Sequence, residues 1–153
     1  MPAPAKSVVP VVLLGCGGVG RHLLQHIVSC RPLHARQGVA VEVVGVADSS
    51  SLLLVADDVH AGGFNDALLT DICSAKAAGS PLSSLLGQGR CQLFKNPEAG
   101  AKVIDAAATL GRSTGLVLVD CSATYDTVGL LKDAVNHGCC IALANKKPLT
   151  GGL

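Results

Sequence analysis

The sequence predicts an α/β domain: a doubly wound, mainly parallel sheet with helices on both faces. Three observations carry this expectation. The apolar run at residues 8–14 leads straight into Gly15-Cys16-Gly17-Gly18-Val19-Gly20 and then into an amphipathic stretch. Aliphatic and β-branched runs alternate with segments of helical periodicity, the pattern of parallel strands joined by right-handed crossovers. Hydrophobic residues make up 49% of the 153 and charged residues 15%. That balance suits a sheet covered on both faces, with some apolar surface left for another domain or subunit.

The elements follow in order. Residues 8–14 form a first strand, with Pro10 near its start, where a missing N–H is tolerated. Val19, Leu23 and Ile27, with Leu24 and Val28 beside them, mark the core stripe of the first helix, and Pro32 ends it. A polar connection at residues 31–38 leads to a β-branched strand at residues 39–47, which closes on Asp48. Residues 49–89 are less legible. Residues 66–78 have the form of a helix stopped by Gly79 and Pro81, residues 82–86 that of a helical turn, and residues 91–94 that of a short strand or extended chain. Asn96 and Pro97 suit an N-cap and the first helical position. Val103, Ile104, Ala107 and Leu110 then mark one face up to Gly111. Residues 116–119 read as a buried strand, residues 124–137 as a helix with Val128, Leu131 and Val135 inward, and residues 139–143 as another buried strand. The whole reads as one domain over residues 1–153.

Composition excludes several classes of function. The net charge is +1 and aromatic residues are 2% of the chain, so there is no basic stripe and no base-stacking platform for nucleic acid. No apolar stretch reaches membrane-spanning length. The seven cysteines are odd in number and lack C-x-x-C or Cys/His metal spacing. They read as reduced, mostly buried residues of an intracellular protein, and no metal is expected. His22 and His26 stand four apart on the first helix, a spacing that fits a solvated face better than a metal site. The seven residues before the first strand are short for a leader, so the expected location is the cytoplasm, or a plastid if the N-terminus is longer.

Candidate site residues gather where strands end. In Gly-x-Gly-x-x-Gly, Gly15 allows the tight turn, Gly17 lets a pyrophosphate approach the backbone, and Gly20 lets the helix pack on the strand. Gly18 and Val19 open that helix, whose unpaired N–H groups and positive dipole end favour phosphate. The predicted ligand is therefore a nicotinamide dinucleotide, NAD or NADP. Asp48, at the end of the second strand, can accept hydrogen bonds from ribose hydroxyls and would repel a 2′-phosphate, which on charge alone favours NAD. Ser49, Ser50 and Ser51 can still hydrogen-bond a phosphate, and the alternative for Asp48 is a cap on the next turn. Ser122, Ala123 and Thr124 follow another strand end, where small residues let a flat nicotinamide approach; a plain helix N-cap is the alternative. Asn145 and Lys146 follow the last strand, where a lysine can hold a carbonyl oxygen, a carboxylate or a cofactor ribose. Lys147 fits an unpaired surface lysine better.

Together these segments resemble the cofactor-binding domain of homoserine dehydrogenases, and most closely the plant-type, single-function members. The matching pieces are Val12-Leu13-Leu14-Gly15-Cys16-Gly17-Gly18-Val19-Gly20, Val44-Gly45-Val46-Ala47-Asp48-Ser49, Val119-Asp120-Cys121-Ser122-Ala123 and Ala144-Asn145-Lys146-Lys147-Pro148-Leu149. The resemblance implies a Rossmann-type fold and an oxidoreductase that interconverts homoserine and aspartate 4-semialdehyde in threonine, isoleucine and methionine biosynthesis. It places Ser122 near the nicotinamide ribose and Lys146, the candidate catalytic residue, in the cofactor and substrate region. It also implies a homo-oligomer for the full-length enzyme. The family's substrate-binding segment and acid–base residues come after the point matching Leu153, so the chain alone is expected to be inactive, and its last residues to begin a linker. The competing reading is a non-catalytic dinucleotide-binding module, a sensor or a subunit of a larger assembly. A different two-domain dehydrogenase shares the glycine turn but not the Asp120–Ala123 and Ala144–Lys146 pieces.

Overall fold

The computed structural model describes residues 7–55, 63–86, 91–95, 98–111, 115–121 and 128–143. In chain order the elements are β1 (Ser7–Leu14), α1 (Gly18–Ser29), α2 (Arg31–Arg36), β2 (Val39–Ala47), β3 (Ser51–Val55), α3 (Asp66–Ala77), a 3-10 turn (Leu82–Leu85), β4 (Cys91–Lys95), α4 (Glu98–Leu110), β5 (Val117–Asp120), α5 (Val128–Asn136) and β6 (Cys140–Leu143). The six strands form one sheet in the order β4-β3-β2-β1-β5-β6. β1 pairs in parallel with β2 and β5, and β5 in parallel with β6. β3 is antiparallel to both β2 and β4. The sheet is therefore mainly parallel, with one reversed strand.

Helices cover both faces, and strand alternation divides the core between them. Val12, Leu14, Val44 and Leu118 point toward α4 and α5, where Val103, Ala107, Leu110, Leu131 and Ala134 complete one buried cluster. Leu13, Val43, Val46 and Leu53 point the other way, toward Leu24 and Ile27 of α1 and Leu69 and Ile72 of α3. Val43 and Val46 share a face although three residues apart. The β1–β2 register slips between Val11 and Val12, pairing Val11 with Val43 and Val12 with Gly45. Val44 is thus an extra residue in β2, a bulge that inverts the alternation beyond it.

The structure departs from the sequence expectations in five places. Pro32 does not close a helix into a loop. It sits in the first turn of α2, where its missing N–H costs nothing. Ser51–Val55 is a strand, reversed from β2 by a two-residue turn in which the Asp48 N–H donates to the Ser51 carbonyl at 3.0 Å. Its Leu-Leu-Leu-Val run lacks the alternation that identifies a strand. Val19 is 59% exposed rather than part of the core stripe, because the first turn of α1 lies beyond the end of β1. Val135 is 54% exposed, and Ala134 is buried in its place. α5 packs at the margin of the sheet, where β6 has a neighbour on one side only. For the same reason β6, expected as a buried strand, is exposed at Cys140, Ala142 and Leu143 and half-buried at Ile141. The residue 91–94 segment, open between strand and extended chain, is β4. The expected Asn96-Pro97 cap lies outside the described residues.

Leu118→Ala, at a fully buried position of β5, should lower unfolding free energy by about 2–5 kcal/mol through lost burial and a residual cavity. Leu33→Ala, at a 45% exposed position of α2, should stay within about 0.5 kcal/mol. Urea unfolding of both variants checks the assignment of inside and outside.

Candidate functional site

The parallel strands end together at Leu14, Ala47, Asp120 and Leu143. From β1 the chain passes to β2 on one side and, later, to β5 on the other. The crevice beyond this switch point is where open α/β sheets bind ligands. Two backbone hydrogen bonds hold the glycine turn across it: the Gly15 N–H donates to the Ala47 carbonyl at 2.8 Å, and the Cys121 N–H donates to the Leu14 carbonyl at 2.8 Å. Asp120 is fully buried at the same edge.

Within the turn the glycines do different physical work. Gly15 has φ of +102°, a backbone that L side chains rarely adopt. A Cβ on Gly20 would stand 2.2 Å from the Gly15 carbonyl oxygen, so only a glycine lets α1 close onto the turn. A Cβ on Gly17 or Gly18 would meet nothing within 4 Å. Gly17 has φ of −73° and ψ of −166°, extended backbone open to any residue. The fold needs no glycine there. α1 begins at this point with no side-chain cap and no acidic residue in its first turn. The N–H groups of Gly18, Val19 and Gly20 belong to the unpaired donors of a helix start. An anion can meet donors and dipole together without a side chain in the way.

Asp48 sits at the end of β2 with both carboxylate oxygens engaged. Oδ1 accepts from the Ser50 N–H at 2.9 Å and the Ser51 N–H at 2.8 Å, and from the hydroxyls of Ser50 at 3.3 Å and Ser51 at 3.2 Å. Oδ2 accepts from Lys76 Nζ at 3.0 Å, in a pair whose side chains are 10% and 19% exposed. Asp48 therefore does cap the turn into β3. Among the described residues no non-glycine has positive φ, so the turn lacks the left-handed backbone that hairpins of this length prefer. The side chain supplies the missing support. Burial pushes the Asp48 carboxyl up, but the hydrogen bonds from Ser50, Lys76 and Ser51 outweigh it and hold the group below its ordinary 3.8.

Lys76 had no signal in the sequence. It lies in the last turn of α3, and only the packing of α3 against α1 brings it to the end of β2. Arg21, in the first turns of α1, donates from Nη1 to the Lys76 carbonyl at 3.4 Å. Cys16, inside the glycine turn, is pushed up to about 12 by burial and by Asp48, with Lys76 opposing. It is a neutral packing thiol, not a nucleophile. Burial likewise raises the thiols of Cys73, Cys91, Cys121 and Cys139. Among the described residues no group of His, Cys, Asp and Glu could hold a metal ion, and no helix is long and apolar enough to cross a membrane.

The structure thus brings Gly15, Gly17, Gly18, Val19, Gly20 and Asp48 to one edge. Ser122, Ala123, Asn145 and Lys146 lie outside the described residues. The neighbouring strands β5 and β6 end at Asp120 and Leu143 on that same edge.

No protein-family model matches the sequence, and no curated protein matches it. Solved structures do resemble the fold. A hyperthermophilic archaeal homoserine dehydrogenase in complex with NADPH superposes with a TM-score of 0.58 at 21% identity, covering 94% of this chain and 38% of its own. A mutant of a hyperthermophilic archaeal homoserine dehydrogenase, also in complex with NADPH, gives 0.55 at 21% identity over the same shares. The likeness is one of fold, and the chain spans 38% of the length of those proteins.

Two outcomes test this geometry. Gly20→Ala should destabilise the domain by about 3 kcal/mol, the upper range for overpacking, whereas Gly18→Ala should be neutral or stabilising by up to about 1 kcal/mol. Thermal unfolding separates them. Asp48→Asn removes a carboxylate whose folded pKa is depressed, so the wild type's advantage is fully present above 3.8 and fades as pH falls below that value. Urea titrations from pH 7 to pH 2.5 should show the gap between the two proteins closing at the acid end.

Proposed function

We propose that the chain is the dinucleotide-binding domain of an NAD(P)-dependent oxidoreductase of the homoserine dehydrogenase kind. The observation that carries the reading is the division of labour in the glycine turn. Gly15 and Gly20 are required by conformation and packing, while Gly17 faces open space that the fold does not use. A glycine kept where a side chain would fit is the requirement of a ligand that meets the backbone directly. The uncapped start of α1 fits the same group, a pyrophosphate. The likeness to NADPH-bound homoserine dehydrogenases and the Asp120–Ala123 and Ala144–Lys146 sequence pieces support the narrower assignment.

When bound, a nicotinamide dinucleotide supplies the hydride acceptor or donor for a hydroxyl–carbonyl interconversion. The N–H groups of Gly17 to Gly20 hold the pyrophosphate. Ser122 and Ala123, beyond β5, leave room beside the ring and offer hydrogen bonds to its ribose. Asn145 and Lys146, beyond β6, serve the reacting end. There Lys146 orients and polarises the oxygen of homoserine or of aspartate 4-semialdehyde as charge develops on it. The acid–base group is assigned to sequence outside these 153 residues. The proposed setting is a cytoplasmic or plastid homo-oligomer of amino-acid biosynthesis.

Calorimetry with NADPH and NADH tests the phosphate turn. Gly17→Val should weaken binding of both at least tenfold, about 1.4 kcal/mol, with an unchanged circular dichroism spectrum. Equal affinity in the variant would remove the assignment. The oxidoreductase reading is tested by NAD(P)H formation with homoserine. The chain alone should give none, whereas a fusion to the second domain of a homoserine dehydrogenase should give turnover that falls in Lys146→Ala. A fusion that binds dinucleotide and turns over nothing would favour a non-catalytic module.

A further inference from the structure

Two side chains at the far end of α1 have no part in the site at the strand ends. His26 and Cys30 stand four residues apart, one turn along the same helix face. Cys30 Sγ lies 3.4 Å from His26 Nε2 and 3.8 Å from Nδ1. The backbone holds this spacing: Cys30 is the C-cap of α1, and its N–H donates to the His26 carbonyl at 2.9 Å. Cys30 is also the N-cap of α2, and its carbonyl accepts from the His34 N–H at 2.9 Å. The pair therefore sits at a fixed junction between two helices. His26 is exposed and Cys30 half-buried, so a reagent in solvent can reach the sulfur. Arg31, the next residue, is engaged elsewhere: its guanidinium donates to the Asp66 carboxylate at 3.1 Å and to the Val41 carbonyl. The other cysteines differ. Cys16, Cys73 and Cys139 are buried, and burial raises the thiols of the half-buried Cys91 and Cys121. A thiol raised in this way keeps its proton and is a poor nucleophile. Cys140 is exposed on β6 and is the natural comparison.

We propose that Cys30 and His26 form a thiol-modification site, at which a small-molecule disulfide is captured as a mixed disulfide on Cys30. His26 accepts the thiol proton, as the imidazole of a nucleophile–base pair does. The Cys30 sulfur attacks one sulfur of the incoming disulfide, and a new S–S bond forms as the old one breaks. The leaving thiolate takes the proton from the imidazolium. Cys30 is oxidised, half of the reagent is reduced to a thiol, and no further oxidant is consumed. The transient imidazolium stands in the last turn of α1, where the carbonyl end of a helix favours a cation. The 12 residues of α1, about 18 Å of helix, separate this site from the glycine turn. The inference is thus independent of the dinucleotide-binding reading.

Reaction of the reduced chain with oxidised glutathione tests this, using wild type, Cys30→Ser, Cys140→Ser and His26→Gln. Glutamine suits an exposed helix position and can accept a hydrogen bond from a thiol, but it cannot carry the proton. Peptide mass mapping should place the first glutathione on Cys30 in wild type and in Cys140→Ser, and Cys30→Ser should lose the fast phase. Near neutral pH, His26→Gln should react at Cys30 at least about tenfold more slowly than wild type, with an unchanged circular dichroism spectrum. The gap should close above about pH 9, where a thiol ionises without a base. First labelling at Cys140, or a fast phase that survives in Cys30→Ser, would overturn the proposal. So would a wild-type chain that takes up no glutathione. Equal rates in wild type and His26→Gln would reduce Cys30 to an accessible thiol, and a slowing that persists at every pH would make His26 a structural contact; either result overturns the pair as a site.

Discussion

Contact between the Gly20 Cα and the Gly15 carbonyl governs the geometry of the candidate site. A single methyl at Gly20 would stand 2.2 Å from that oxygen, so the contact sets how closely α1 returns to the strand it leaves. Close approach places Leu24 and Ile27 against Leu13 and Val43 in one buried cluster. It also aims the start of α1 across the switch point between β2 and β5. Were the helix displaced outward, its first N–H groups would no longer face the crevice, and α3, which packs against α1, would move with it. Lys76 would then be carried away from Asp48.

The end of β2 joins local and distant demands on one side chain. Asp48 caps the turn that reverses the chain into β3, and this explains why a single antiparallel strand interrupts an otherwise parallel sheet. The same carboxylate neutralises Lys76, a residue from a different layer. Burial would raise the Asp48 carboxyl, and it is the backbone N–H groups and the ammonium that hold it down. Such a pair contributes through geometry more than through net energy, because desolvation offsets much of the Coulomb gain. Its consequence is positional: an ammonium from α3 is held at the end of β2.

The two margins of the sheet are treated differently. On one side β3 and β4 extend it with antiparallel pairs, and the 3-10 turn and α3 cover their apolar residues. On the other, β6 has one neighbour, and Val135 and Leu143 are 54% and 37% exposed. In the apolar stripe of α5, Leu131 is therefore buried while Val135 is not, because the sheet beneath the helix ends.

Much of the fold was legible in the residues themselves. The β1–turn–α1 unit, β2, α3 and the strand–helix alternation after residue 97 rest on local signals: β-branched runs, glycine spacing and apolar periodicity. These act within a few residues and survive in one dimension. The roles of Gly15 and Gly20 were readable for the same reason, since each is a steric requirement of the turn, whereas the fold makes no such demand at Gly17. Tertiary packing alone decided the rest. The Val44 bulge is a register relation between two strands. Strand β3 depends on a turn held by a side chain, and its Leu-Leu-Leu-Val run carries no period of its own. The exposure of Val19 and Val135 depends on where the sheet stops. The partnership of Lys76 with Asp48 depends on α3 lying beside α1, and no spacing along the chain encodes which cation reaches a given carboxylate.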